Sequence, residues 1–465
     1  MLIDSHVHLN MKKFAEDRES VIERALSSGV GEMVGISFDP ESIDETLALS
    51  EKYGPLFAAV GIHPHEAEKW NMDIEDKIKK ALFRKKVLAV GEIGLDYYRD
   101  LSPRDVQQEI FKKQIAIAIY FGKPIVVHCR EAFDDVIEII KREGAGEVGG
   151  IFHAFQGGTK EAEEILGLGF LVGIGGPVTY KNSRLPEAVK RLPSSGFVLE
   201  TDCPYLPPVP YRGKRNEPSY VKLVAEKVAD IKGVSPEDIE RATESNYRRV
   251  LQNENSPAES ISYSIKDNLY LNVTNFCTND CRFCPAGKKN NELYGYNLNL
   301  LTEPEIEDII ESAAEELGRR AFKEIVFCGY GEPTARLDVI LKVAETLKKY
   351  GIPVRLDTNG QGNMINKSDI VPRLEEYFDV VSVSMNAFDR DSYLRLCRPD
   401  AGYKAYDAVM EFITRAAESD MNCVVTAVDF PGVDIEKCRN AAENIPDVEF
   451  KVRNWQLDPP NNPRV

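Results

Sequence analysis

Every histidine of this chain precedes residue 154, in four places: His6 and His8, His63 and His65, His128, and His153. Each place follows a short apolar run of the kind that forms a strand. This constrains the fold, because residues so far apart in sequence serve one chemistry only where strand ends converge. Clustered imidazoles with carboxylates nearby (Glu92, Asp202) are the ordinary makings of a transition-metal site. A second concentration of chemistry begins where the histidines stop, with Cys277, Cys281 and Cys284 inside eight residues.

The first half alternates strands with helical stretches. The pattern predicts strands at 1–5, 33–37, 56–61, 87–91, 124–128, 150–153, 170–173 and 198–201. Eight strands with helices between them, in about 250 residues, is the arithmetic of a closed (β/α)8 TIM barrel. His6, His8, His63, Glu92, His128, His153 and Asp202 each fall at, or just beyond, the C-terminal end of a predicted strand. In such barrels that rim carries the chemistry. One helix has its own start signal, with Ser102 as cap, Pro103 in the first helical position and Asp105 near the positive end of the dipole.

The polar segment 252–264 has a proline and no apolar period, so the domains are expected at 1–252 and 265–465, with 253–264 as linker. Beyond it, strands are predicted at 269–273, 325–328, 354–357, 380–384, 424–427 and 448–452. Six strands in about 200 residues make a partial, open barrel. A capping box, Thr302 to Glu305, is expected to start the helix between the first two. At 465 residues two domains are the default.

Composition narrows the function. A net charge of −17, with both halves acidic, cuts against bulk adhesion to nucleic acid, so a phosphate-bearing substrate must be held by metal ions and local basic groups. Nothing at the start resembles a signal peptide, and no apolar run approaches a membrane span. Nine cysteines, three of them crowded, argue for metal use in a reducing compartment, and the cytoplasm is the expected location.

His6 and His8 are two apart on a strand, so both point to one side and can share a divalent ion. Glu92 is a carboxylate that can link two cations, and His128, His153 and Asp202 complete a mixed nitrogen and oxygen set. Two cations stabilise the attacking and leaving oxygens of a phosphoryl displacement. Asp202 is placed to hold the nucleophile and accept its proton. Cys129 and Cys203 adjoin these residues but alternate to the other face of their strands, which favours packing. His65 either contacts substrate or orders its loop.

The stretches Asp4-Ser5-His6-Val7-His8, Gly61-Ile62-His63-Pro64-His65, Gly91-Glu92-Ile93-Gly94-Leu95-Asp96, Val127-His128-Cys129-Arg130, Glu200-Thr201-Asp202-Cys203-Pro204-Tyr205 and Arg215-Asn216-Glu217-Pro218 together resemble the TatD family of metal-dependent deoxyribonucleases. The resemblance spans about residues 1–252. It implies an amidohydrolase-like metallo-hydrolase with His6, His8, Glu92, His128, His153 and Asp202 as ligands, and with His63 contacting the scissile phosphate. One departure is Gln156, standing before Gly157 where the family has a hydroxyl residue, which bears on substrate preference. Mixed His and carboxylate sites accept Mg, Mn, Zn or Fe, and two ions are expected, of Mg, Mn or Zn.

Cys277, Cys281 and Cys284 have the spacing CxxxCxxC on a loop after a strand. Three thiolates can ligate three irons of a [4Fe–4S] cluster and leave the fourth open. Structural zinc wants a fourth Cys or His nearby, and the next cysteine is Cys328. The spacing, with Phe283 before the last cysteine, resembles the radical S-adenosylmethionine superfamily. That resemblance implies that S-adenosylmethionine binds the open iron and yields a 5′-deoxyadenosyl radical. Cys328-Gly329-Tyr330-Gly331-Glu332-Pro333 resembles the superfamily's glycine–glutamate stretch, with Gly329, Gly331 and Glu332 receiving the methionine amine. Asn359 and the Ser384-Met385-Asn386 stretch resemble ribose and carboxylate contacts. Residues 393–399 are either substrate contacts or a solvated basic loop. Taken together, the pattern is similar to TatD-associated radical S-adenosylmethionine proteins.

The expectation is therefore a bifunctional enzyme. A divalent-metal phosphoesterase acting on DNA or a nucleotide is joined to a radical enzyme whose substrate the sequence does not name. A flavodoxin or ferredoxin is the expected electron donor. Two other readings stay open: a first half that only binds a phosphorylated substrate for the radical site, and hydrolysis of a C–N or C–O bond.

Overall fold

The computed structural model describes residues 1–286, 288 and 292–457. Two compact units divide the chain: Met1–Pro257 with residues of Lys288–Gly295 and Leu457, and Ala258–Gly287 with Tyr296–Gln456.

The first unit is an eight-stranded parallel sheet in sequential order. Its strands are β1 (Leu2–Val7), β2 (Val30–Ile36), β3 (Leu56–Val60), β4 (Val87–Asp96), β5 (Ile125–Arg130), β6 (Gly150–Phe152), β7 (Phe170–Ile174) and β8 (Phe197–Leu199). All eight match a predicted strand. The last returns to the first through a parallel bridge between Val7 and Cys203. Hydrogen bonds from Asp202 N to His6 O (3.0 Å) and from His8 N to Cys203 O (2.9 Å) accompany it. The strand interiors are almost wholly buried, the mark of a parallel sheet covered by helices. Tyr247, Val250 and Leu251 of the helix Pro236–Leu251 pack into the same core as Ile3, Val34 and Leu88.

Two details differ from expectation. Strand β4 runs to Asp96, so Glu92 sits within the strand, at a register shift between Val90 and Ile93 against β5, and not at its end. The helix after it spans Arg104–Phe121 with Pro103 as cap, and the Ser102 hydroxyl donates instead to His65 O at 2.9 Å. Ser102 stands one residue before the cap position, and its hydroxyl ties down the loop of His65 and does not accept from the helix's first N–H groups.

The second unit is a seven-stranded sheet. Its members are β9 (Ser262–Ile265), β10 (Asn268–Leu271), β11 (Glu324–Phe327), β12 (Val354–Thr358), β13 (Val380–Ser384), β14 (Asn422–Asp429) and β15 (Val448–Asn454). The six predicted strands are β10 to β15, all parallel in sequential order. Strand β9, antiparallel to β10, was not foreseen and lies largely within the segment read as linker. Its alternation, Ser262-Tyr263-Ser264-Ile265, covers only four residues at the end of a polar segment and is too short to stand out as a strand. The helix Ile306–Arg319 is capped at Glu305, whose N–H donates to Asp308 Oδ2 at 3.1 Å. Thr302 is not its cap: Arg336 holds the approach to the helix extended, pairing with Glu303 at 3.1 Å and donating to Pro304 O at 2.8 Å. Residues 458–465, inside the predicted second domain, lie outside the described residues.

Candidate functional site

Barrel closure draws the first-unit residues into one cluster. His6 Nε2 lies 3.2 Å from His8 Nε2. Asp202 Oδ1 lies 3.7 Å from the first and 3.4 Å from the second. Glu92 Oε2 faces the same pair at 3.5 and 3.8 Å. The other oxygen, Oε1, turns to a second group, 2.7 Å from both His128 Nδ1 and His153 Nε2. Those two nitrogens are 3.2 Å apart. Glu92 thus belongs to both groups, one oxygen to each.

The set fits divalent cations. Lone-pair donors face one another at near contact in a buried space, an arrangement that repels itself unless positive charge fills it. Burial opposes the charge of Glu92, yet His153 and His63 beside it hold its carboxyl well below the ordinary range. Against the same burial, Glu92 raises His153 to about 9, while Asp96 and Glu92 raise His128. Glu92 therefore collects protons on its neighbours in the place a cation would take, and metal binding would displace them. His6, lowered to about 4 by burial and then by His153, is neutral and ready to donate its lone pair.

His63 has a different part. By distance it could join Glu92 and His128 around an ion. However, His65 N donates to His63 Nδ1 at 3.1 Å, which places the His63 proton on Nε2, 3.6 Å from Glu92 Oε1. A protonated nitrogen is no metal donor. Burial, then His128, keeps the ring neutral, so His63 offers an N–H into the site. His65 is half-buried, its Nε2 bonded to Asp96 Oδ2 at 2.9 Å.

Three acids were not singled out from the sequence. Asp96, 1% exposed, bridges His65 and His128. Asp4 accepts from Thr201 N (2.9 Å) and Oγ1 (2.6 Å), pinning β1 to the chain leaving β8. Glu200 accepts from Ala154 N beside His153, and burial lifts its carboxyl to about 7. The signal was available: Asp4 and Glu200 stand two residues before His6 and Asp202, the spacing that shares a strand face. Burial pushes the Cys129 thiol up to about 12 and raises Cys203 well above its ordinary value, so both are neutral packing groups. Gln156 is exposed on the loop after β6.

In the second unit Cys277, Cys281 and Cys284 are half-buried on the loop after β10. Burial raises Cys277 to about 12. Contact with Cys397, then burial, raises Cys281. Three soft donors on one loop, with no imidazole in this unit, suit iron and sulfide.

Within and just after the stretch 393–399, the backbone of residues 396–400 braces the cysteine loop, while Arg395 and Arg398 are exposed. Arg282 N donates to Leu396 O (3.0 Å), Asp280 N to Arg398 O (3.3 Å) and Asp400 N to Thr278 O (3.0 Å). Gly331 is required by the same loop, since a Cβ there would lie 2.3 Å from Thr274 O and 2.7 Å from Phe276 O. Gly329 faces Asn272 as closely. Glu332 is buried and spends its oxygens within the chain, on Thr334 N (3.1 Å), Thr334 Oγ1 (2.6 Å), Thr358 Oγ1 (2.7 Å) and Asn359 N (2.6 Å).

Asn359 Nδ2 reaches Thr278 Oγ1 at 3.0 Å and lies 3.8 Å from Cys277 Sγ. Phe283 packs with Phe430, ring centres 5.6 Å apart. Ser384 ends β13 half-buried, and buried Asn386 accepts from Val428 N at 3.0 Å. The fold thus gathers Cys277, Gly331, Glu332 and Asn359, and leaves Ser384 at the end of β13 and Asn386 just beyond it. An unforeseen ion-pair line crosses the sheet: Asp357 pairs with Arg355 (3.0 Å) and Arg453 (3.1 Å), and Arg453 also reaches Ser382 Oγ (3.1 Å).

Among the described residues no helix is long and apolar enough to cross a membrane. Comparison with known proteins agrees with both units. The model of TatD related DNases matches residues 3–252, and that of the Radical SAM superfamily residues 271–445. The metal-dependent hydrolase YabD of Bacillus subtilis (strain 168) is 44% identical over 253 residues, 54% of this chain and 99% of its own. A protein of Rahnella sp. (strain Y9602) named 3'-5' ssDNA/RNA exonuclease TatD is 32% identical, over 52% of this chain and 95% of its own. The crystal structure of YJJV, a TatD homologue from Escherichia coli K12, aligns at TM-score 0.52 and 31% identity, over 54% of this chain and 98% of that one. These matches imply a divalent-metal centre in the first unit and an iron–sulfur cluster with S-adenosylmethionine in the second. With its metal-donor cluster on a closed barrel and its cysteine loop on a second sheet, the chain belongs to the TatD-related DNase family and carries a radical SAM domain after it.

Proposed function

We propose that the first unit is a two-cation phosphoesterase acting on DNA or nucleotides, and that the second is a [4Fe–4S] radical S-adenosylmethionine enzyme with a separate substrate. The observation that carries the first half is the division of Glu92, one oxygen to each donor group. His6, His8, Asp202 and Glu92 Oε2 would hold one ion, and Glu92 Oε1, His128 Nδ1 and His153 Nε2 the other, each Mg, Mn or Zn. When bound, such ions acidify water and stabilise charge on phosphoryl oxygens.

The chain's own groups do the rest. Asp202 takes the proton from the attacking water as its oxygen bonds to phosphorus and the ester P–O bond breaks. The His63 Nε2–H donates to a phosphoryl oxygen, where negative charge grows. His65 sits beside it as a substrate contact. The name of the Rahnella relative supports a nucleic-acid substrate.

In the second unit Cys277, Cys281 and Cys284 would hold the cluster, whose chemistry is one-electron reduction of S-adenosylmethionine, with flavodoxin or ferredoxin as donor. Asn359, lying against Cys277, is one of the proposed S-adenosylmethionine contacts. Phe283, Gly329, Gly331 and Glu332 shape the loops around it, with Ser384 at the end of the next strand and Asn386 just beyond it. A reducing cytoplasm suits nine cysteines that form no disulfide among the described residues.

The test is Mn-loaded, cluster-reconstituted full-length protein, assayed on end-labelled single-stranded oligonucleotides, nucleotides and bis(p-nitrophenyl) phosphate. Hydrolysis should vanish in Asp202→Asn while S-adenosylmethionine cleavage persists. Loaded protein that leaves all three intact but opens an amide or a carboxylic ester would overturn the phosphoesterase reading.

A further inference from the structure

We infer that Asp96 is the positioning residue of the hydrolytic centre: it fixes the tautomers of His128 and His65, and so decides which His128 nitrogen meets the cation. The inference rests on the metal-centre reading above.

Asp96 ends β4, and its four acceptor directions are all occupied. Oδ1 accepts from Tyr98 N (3.0 Å) and Arg99 N (2.8 Å), and Oδ2 faces His65 Nε2 (2.9 Å) and His128 Nε2 (3.1 Å). The residue is itself clamped. Gln107 Oε1 accepts from its N–H at 2.9 Å, and Gln107 Nε2 donates to Ser102 O at 2.8 Å and to Asp96 O at 3.3 Å. Its proximity to His128 depends on Gly94, at φ +145°, where a Cβ would lie 2.0 Å from His128 O.

An ionised carboxylate only accepts, so both nitrogens facing Oδ2 must carry protons. With Asp96 holding the Nε2 proton of His128, the proton that faces Glu92 on Nδ1 is the one a cation would displace, which leaves Nδ1 as the donor. His128 is the odd member of the set, since His6, His8 and His153 all present Nε2. One oxygen thus orders a metal donor and a substrate-side imidazole together, the arrangement that aligns a ligating histidine through its second nitrogen.

Asp96→Asn separates this role from mere support. The amide keeps an oxygen for Tyr98 N and Arg99 N but turns an NH2 toward both rings. The imidazoles must then accept at Nε2 and move their protons to Nδ1, which in His128 is the metal-facing atom. Two measurements on the full-length chain read this. Free Mn2+ followed by electron paramagnetic resonance gives stoichiometry and affinity. 15N spectra of histidine-labelled, Zn-loaded protein give tautomers, and only six histidines contribute.

In the wild type two Mn2+ should bind, with His63, His65 and His128 as Nε2–H forms. In Asp96→Asn one Mn2+ should weaken by about 10–100-fold while the other is unchanged, and the His65 and His128 signals should cross to the Nδ1–H class. A folded variant with both affinities and all tautomers of the wild type would overturn the inference. So would an Nδ1–H His128 in the wild type, which decides the matter even if the variant does not fold. Wild type that binds two Mn2+ yet cleaves no phosphoester removes the proposed reaction and leaves Asp96 standing. Wild type that binds none removes both.

Discussion

The two units hold their reactive groups in opposite ways. In the first, most donors are carried on or beside strands and lie buried at 2.7–3.8 Å from one another, so the backbone of a closed barrel sets the geometry. In the second, the three thiols ride on an irregular loop whose shape comes from neighbours: residues 396–400 on one side, and Gly331 and Glu332 on the other. A buried imidazole–carboxylate set needs rigid, separate origins, because its members repel one another without their ion. Thiols spaced CxxxCxxC are near neighbours already, and the fold need only brace their loop.

That contrast can be broken most forcefully by removing one site and reading both. Asp202→Asn should lower phosphoester hydrolysis by about 10³-fold or more, with S-adenosylmethionine cleavage unchanged. Cys281→Ser should do the reverse, abolishing the cluster's visible absorption while hydrolysis stays intact. A loss of both activities in either variant would mean that the sites are not independent.

His63→Gln sharpens the assignment within the first site. It should reduce kcat by about 10²–10³-fold with both Mn2+ retained, since the lost group is a hydrogen-bond donor to the phosphoryl oxygen and not a ligand. Loss of one Mn2+ would make His63 a ligand after all.

Glu292 tests how far rigidity depends on remote chain. Its carboxylate pairs with Arg249 at 3.0 Å, both side chains nearly inaccessible, and accepts from Ser245 Oγ at 2.7 Å. Glu292→Ala leaves a buried guanidinium unpaired and should cost the first unit about 3–5 kcal/mol, read by denaturant titration. A change below 1 kcal/mol would show that water relieves Arg249.

In the second unit Gly331→Ala should cost about 1–3 kcal/mol by forcing Thr274 and Phe276 aside, seen as lower iron content after reconstitution. The smallest effect is expected for Asn359→Ala, which removes the bond to Thr278 and should raise the KM for S-adenosylmethionine only several-fold.

Much of this was legible beforehand. Strand periodicity located all eight barrel strands and the six parallel strands that follow, because buried parallel strands are continuous apolar runs. The metal-facing residues were legible since His and acidic side chains at strand ends have few other uses. Asp96 was not, although it closes the motif containing Glu92, because its value lies in two imidazoles that come from other strands. Strand β9 escaped because its pairing, not its composition, makes it a strand. The glycines of Gly329-Tyr330-Gly331 and the acid of Glu332 were read as ligand contacts. What the structure adds is that the glycines also stand at close chain approaches and that the acid accepts four internal bonds, which no local pattern records.

The amino-acid order alone determined which chemistries the chain carries and in which half, since side-chain type and strand period are local properties. Tertiary structure alone decided that Glu92 serves two groups, that His63 donates where its neighbours accept, and that one oxygen of Asp96 governs two rings. Each of these depends on which lone pair faces which proton across a closed barrel, and such directions exist only once distant strands have met.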